Sequence, residues 1–136
     1  MINIQETMKE LFGGSCYGYC LVRQFTGIED IKTLTYLFLE GWRQGFIDND
    51  GFVSQPLKFI EMICGEKYKD VTKPKIDSLE KLPSGNWIVE YKRNPETPAS
   101  HFVVANGDDE KVIFDPSGNS NTVKVGKPFS YRKFIR

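Results

Sequence analysis

The sequence predicts an α+β fold in which helices come first and an antiparallel sheet follows. Three observations lead there. Up to about residue 65 the apolar residues recur at helical spacing, beyond it they alternate over short runs, and no internal repeat or linker interrupts the order. At 136 residues and 40% apolar composition, the chain is expected to form a single domain over 1–136. Such a domain buries roughly two-thirds of the surface that its unfolded form exposes.

Taking the elements in order, Ile4, Met8, Leu11 and Phe12 lie at helical spacing, and Gly13-Gly14 stops that helix. Ser15 is placed to cap a second helix that begins at Cys16 and runs through YGYCLVRQF. Gly18 costs such a helix about 1 kcal/mol against alanine, which points to a packing reason for it. Ile31, Leu34, Leu37, Phe38 and Trp42 mark a long amphipathic helix from Asp30 to about Phe46. The turn DNDG, Asp48 to Gly51, leads through Phe52-Val53 to Ser54, which is expected to cap a further helix through Pro56, Leu57, Ile60, Met62 and Ile63. Gly65 ends it.

In the second half Tyr68 to Thr72 reads as a short strand, Ile76 to Leu82 fits neither period, and Pro83-Ser84-Gly85 is a turn. NWIVEYKR, Asn86 to Arg93, alternates as a strand does, and NPETP after it is a loop. His101 to Ala105 and Lys111 to Asp115 form a hairpin around NGDDE. Thr122 to Val125 and Phe129 to Ile135 add further strands or a terminal turn.

Eighteen basic residues balance eighteen acidic ones, with no basic stripe along the chain, so the electrostatic footprint of a nucleic-acid or membrane-surface binder is missing. The segment MINIQETMKELF carries acidic residues and no apolar core of a signal peptide, and no apolar run approaches the roughly 20 residues that span a bilayer. A cytoplasmic location is the expectation.

Three cysteines, Cys16, Cys20 and Cys64, are an odd count and argue for free thiols over a disulfide framework. A zinc site built from all three with His101 is the competing reading. It has only a C-x3-C pair on a helix, with no second close pair. The acidic turn residues Asp48, Asp50, Asp108, Asp109 and Glu110 lack the twelve-residue ligand spacing of a calcium loop and read as solvated turns. No cofactor is called for.

The chemistry is carried by two segments. If the hairpin loop runs from Asn106 to Glu110, Ala105 faces Lys111, Val103 faces Ile113, and His101 faces Asp115. Directly opposed residues have Cβ atoms about 4.5–5.5 Å apart, near enough for a carboxylate to hold an imidazole nitrogen, and a one-residue slip would undo it. Cys16, in the first turn of its helix, lies where the positive end of the helix dipole and a nearby imidazolium stabilise a thiolate. Backbone N–H groups there supply part of an oxyanion hole. Cys20 and Cys64, on apolar helical faces, read as small buried hydrophobes. Cys16, His101 and Asp115 thus spell a nucleophile, its base and the group that orients the base.

GGSCYGYC resembles the nucleophile segment of papain-like cysteine peptidases, in which small residues precede the cysteine and an aromatic follows. SHFVVANGDDEKVIFDPSG is similar to the His-to-Asp hairpin of C39-like peptidases, the bacteriocin-leader-processing branch of that superfamily, and SYRKFIR to the segment that closes their domain. The strong matches cover about 25 residues. The resemblance implies a papain-like fold, with Cys16 as nucleophile, His101 as general base and acid, and Asp115 as the orienting group. It further implies a peptide or protein substrate cleaved at a peptide or isopeptide bond, with peptidoglycan cross-peptides as the second substrate class. Those families place an oxyanion-hole glutamine about six residues before the cysteine; here that position is Glu10, a poor donor when ionised, so either Gln5, the nearest glutamine upstream, takes the oxyanion-hole role, or backbone donors suffice, or catalytic power is lost. A different class of function is the alternative, a catalytically inactive papain-like domain that binds a peptide or protein, with Tyr17, Tyr19 or Trp87 as anchors. Core packing is the competing role for these aromatics, above all for Trp87.

Overall fold

The computed structural model describes residues 15–94, 96, 100–118 and 121–136. The expected helix at residues 2–12, with Gln5 and Glu10, lies outside the described residues. Within them the order is α1 (Cys16–Thr26), α2 (Ile31–Arg43), α3 (Pro56–Cys64), β1 (Asp70–Thr72), a 3-10 turn (Leu79–Lys81), β2 (Asn86–Lys92), β3 (His101–Asn106), β4 (Lys111–Phe114), α4 (Asn121–Val125), β5 (Lys127–Tyr131) and β6 (Lys133–Ile135). Helices precede an antiparallel sheet of strand order β4-β3-β2-β5, and β1 and β6 pair separately. This is the α+β arrangement. No helix among the described residues is long and apolar enough to cross a membrane.

α1 is the central helix. Gly18, Tyr19, Cys20, Leu21 and Val22 are all buried, so it is apolar on nearly every side, as a helix wedged between layers must be. α2 and α3 cover one side of it with Leu34, Phe38, Phe59 and Ile60, and the sheet covers the other with Ile88 and Val104. The opposite face of the sheet has its own cluster of Val89, Tyr91, Val103 and Ala105, closed over by Leu82, Ile76, Leu79 and Val123. Trp87 packs there too and donates its indole N–H to Pro83 O at 3.0 Å, so its role is core packing.

Four local expectations are corrected. Ser15 occupies the N-cap position of α1, but its side chain makes no capping hydrogen bond and its backbone is already helical (φ −88°, ψ −4°); packing holds this helix end. The N-cap of α3 is Gln55, one residue after Ser54, because Pro56 pre-sets the first helical position and excludes the residue before it from helical dihedrals. Residues 121–125 are a short helix where a further strand or a terminal turn was expected from Thr122 to Val125, a length at which the two periods cannot be told apart. The β3–β4 register also differs, as set out below. By contrast, Asp30 caps α2 by accepting from Thr33 N at 3.0 Å, and Gly65 closes α3 in the left-handed conformation (φ 78°).

Gly18 has the packing reason that its helical cost implied. A Cβ there would stand 2.7 Å from two ring carbons of Phe38, whose ring is fully buried and stacks on Tyr19 at 5.3 Å. Gly18→Ala gains about 1 kcal/mol of helix propensity but forces an overpacked contact worth about 1–3 kcal/mol. Urea unfolding is expected to show a lower midpoint for Gly18→Ala and recovery when Phe38→Leu is added.

Candidate active site

The hairpin that carries the site is out of register with the simple expectation, and the difference is what brings the site together. Asn106 pairs with Lys111 and Ala105 with Val112, one residue away from the expected register; a bulge follows, and Val104 pairs with Phe114. Ile113 is the surplus residue, 38% exposed, while Val112 packs on one face of the sheet and Phe114 on the other. Had the register run on unbulged, Asp115 would have come opposite Phe102, on the face away from His101. The bulge shifts it opposite Val103, diagonal to His101 and on its side, a separation that a His–Asp pair spans. The slip and the bulge each displace the pairing by one residue, and together they restore the face.

His101 Nε2 and Asp115 Oδ1 are 2.7 Å apart. Both side chains are about 90% buried, 10% and 9% exposed. The same Oδ1 accepts from Ser117 N at 2.9 Å, which fixes the carboxylate. The other imidazole nitrogen, Nδ1, is left free of Asp115, and Cys16 lies close enough to the ring to favour its protonated form. Burial works against the imidazolium, but the hydrogen bonds with Asp115 and Cys16 and the negative charges of both outweigh it. The pKa of His101 rises from 6.5 to about 9.

Cys16 is the first residue of α1. The first helical hydrogen bond at that end is Tyr19 N–H to Ser15 O at 3.2 Å, so the N–H groups of Cys16, Tyr17 and Gly18 have no acceptor inside the helix. They are the donors available to an oxyanion at the sulfur. Of the other thiols, Cys20 is fully buried. Burial, and then the nearby charges of Cys16 and Asp115, push its pKa well above that of an ordinary thiol. Cys64 donates to Ile60 O at 3.2 Å. Cys20 is a core residue, as read from the sequence, whereas Cys64 is only partly buried against the core. Among the described residues no group of three or more His, Cys, Asp and Glu side chains is arranged to hold a metal ion.

A second cluster, missed in the sequence, ties the two halves of the site together. Arg132 is only 6% exposed. It donates to Ser130 Oγ at 2.8 Å and lies 3.6 Å from Glu90 Oε1, which accepts from Ser130 Oγ at 2.8 Å. Its guanidinium faces the rings of Phe102 at 4.9 Å and Tyr17 at 5.8 Å, and those two rings touch at 4.8 Å between centroids. Tyr17 follows Cys16 and Phe102 follows His101, so Arg132 fastens the helix end to the strand beside Cys16 and His101. Burial, opposed by Arg132, pushes the Tyr17 phenol up to about 12. Burial would raise the Glu90 carboxyl, but hydrogen bonds from Ser130 and Ser100 and the charges of Arg132 and Lys92 leave it lowered. Next to this cluster is a cavity of about 390 Å³ lined by Tyr17, Phe52, Val53, Lys73, Phe102 and Arg132. Tyr17 therefore faces open space, whereas Tyr19 is a core residue bonded to Thr35 Oγ1 at 3.0 Å.

Comparison with family models, curated proteins and solved structures gives no match to the chain. The site therefore rests on its own geometry.

The chain has a single histidine, so its proton signal in NMR reports one titration. The wild type is expected to titrate near 9, and Asp115→Asn, which removes the charge and the acceptor pair, to titrate closer to 6.5. Folding raises this pKa, so the folded state holds the proton more tightly. The stability that His101 contributes is full below about pH 6.5 and is lost as pH rises through about 9. Urea midpoints of the wild type and His101→Gln should therefore converge above pH 9. Arg132→Ala leaves Glu90 without its buried cation, and about 3 kcal/mol of stability should be lost in the same assay.

Proposed function

We propose that this chain is a small papain-like, C39-like cysteine peptidase or thiol hydrolase that cleaves a peptide or isopeptide bond through an acyl-enzyme on Cys16. The single observation that carries the reading is the buried pair in which Asp115 holds one nitrogen of His101 at 2.7 Å, with Cys16, the first residue of a helix, close enough to the same ring to favour its protonated form. The Cys16 sulfur attacks the carbonyl carbon, and the oxygen takes up negative charge against the N–H groups of the first turn of α1. His101, held as imidazolium, gives its proton to the leaving amine as the C–N bond breaks. A water then attacks the thioester while His101 takes its proton. The C–S bond breaks, the acid product leaves, and thiolate and imidazolium are restored.

Asp115 keeps the ring oriented and favours its protonated form throughout. Substrate side chains next to the scissile bond would occupy the cavity bordered by Tyr17 and Phe102, the chain neighbours of the nucleophile and the base. A domain that binds a peptide there without turning it over is the second reading, favoured by the 60% exposure of Phe52 on the cavity wall.

Iodoacetamide alkylation, followed for each cysteine by peptide mass spectrometry, separates the two. At pH 6 a free thiol is almost wholly protonated. Cys16 is expected to react at that pH faster than Cys64, and to lose the advantage in His101→Ala. On a peptide library, Cys16→Ala is expected to abolish turnover. Full turnover in that variant would overturn the mechanism, and wild-type binding without cleavage would favour the binding module.

A further inference from the structure

Away from the candidate active site, where β2 ends and β5 begins, the fold collects positive charge that it does not neutralise. Lys92 and Lys127 are direct cross-strand partners, a like-charge pairing that costs stability in a sheet. Lys92 Nζ lies 4.3 Å from the centroid of the Phe129 ring, and Lys75 Nζ lies 5.2 Å from the same ring. One ring thus keeps two ammonium groups within about a Debye length of each other, close to 10 Å at 0.1 M salt. Lys92, Arg93 and Lys127 line a cavity of about 310 Å³ with Val125, Pro128 and Phe129.

The convergence is built in by the backbone. Gly126 passes so close to β2 that a Cβ there would stand 2.6 Å from Lys92 O and 2.4 Å from Thr122 O, and this approach sets Val125 and Lys127 against Lys92. The segment before the 3-10 turn pairs with the outer edge of β5 through Ile76 N to Phe129 O at 3.1 Å, which brings Lys75 in from the other side.

The two carboxylates that sense these charges are engaged elsewhere. Asp77 feels Lys127 but is bonded to Lys81 Nζ at 2.7 Å. Glu90 feels Lys92 but accepts from Ser130 and pairs with Arg132. Among the described residues, no ion pair forms at Lys75, Lys92, Arg93 or Lys127. The π face of Phe129 offsets only part of the repulsion.

We infer that this cavity is a binding site for a small multivalent oxyanion, a phosphoester or a polycarboxylate, separate from the Cys16 site. Two ammonium groups and one guanidinium fork line a space of ligand size, a third ammonium, Lys75, lies over the same Phe129 ring, and a bound anion would relieve the Lys92–Lys127 repulsion. The apolar wall of Val125, which is 67% exposed, and Pro128 leaves room for a carbon body attached to the anion. The inference does not depend on the proposed activity.

Isothermal titration of the full chain at low salt tests it, with inorganic pyrophosphate and citrate as probes. Saturable binding that weakens as salt is raised is expected. Lys127→Gln and Arg93→Gln are each expected to weaken it by about tenfold or more, and Cys16→Ala to bind as the wild type does. Without anion, Lys127→Gln should unfold at higher urea than the wild type, since the like-charge pair is gone. Binding of pyrophosphate alone assigns a phosphoester, and binding of citrate alone a polycarboxylate. If neither probe binds saturably, or if both lysine and arginine variants bind as well as the wild type, the inference is overturned.

Discussion

The burial of α1 between the other helices and the sheet is the constraint on which the rest of the molecule depends. A helix with Tyr19, Leu21 and Val22 fully enclosed gains roughly 1.5–3 kcal/mol from each such side chain and has little freedom to rotate or slide. Its first residue is consequently placed by packing. The uncapped Ser15 side chain shows how little the local sequence contributes at that end. The absence of a side chain at Gly18 admits the Phe38 ring, and the Arg132, Glu90 and Ser130 cluster fixes the helix start against β3. Cys16 meets His101 because a core and a buried ion pair agree on one geometry.

Much of this was legible in one dimension, and the reasons for the failures are specific. Periods of 3.6 and 2 disclose α1, α2, α3 and β2 because each presents a consistent apolar face over several turns or several residues. The pairing of His101 with Asp115 was reached through a register that is two residues off. A period of 2 carries no mark of an inserted residue, so neither the one-residue slip nor the bulge at Ile113 can be read from alternation. Glu90 escaped for a related reason. It sits on the helix-facing side of β2 with Ile88, yet between Val89 and Tyr91 it looks like an outward-facing polar position. Its partners Ser130 and Arg132 are remote in sequence, as are Lys75, Lys92 and Lys127, which charge counting along the chain spreads into neutrality.

Buried charge is used in two contrasting ways. Around Arg132 every polar atom of Glu90 and Ser130 that faces the guanidinium takes part in a hydrogen bond or ion pair, so the cluster adds definition to the junction of helix and strand. At His101 the surroundings favour one protonation state strongly enough to outweigh desolvation. Both clusters engage the two central strands, His101 on β3 and Glu90 on β2.

The order of the residues along the chain has a consequence for biosynthesis. Cys16 leaves the ribosome well before β3 and β4, and until those strands pair it has no imidazole beside it. The meeting of Cys16 with His101 depends on pairings distant in sequence, the kind that form slowly. A nascent or partly folded chain therefore carries Cys16 without the neighbours that the finished sheet gives it.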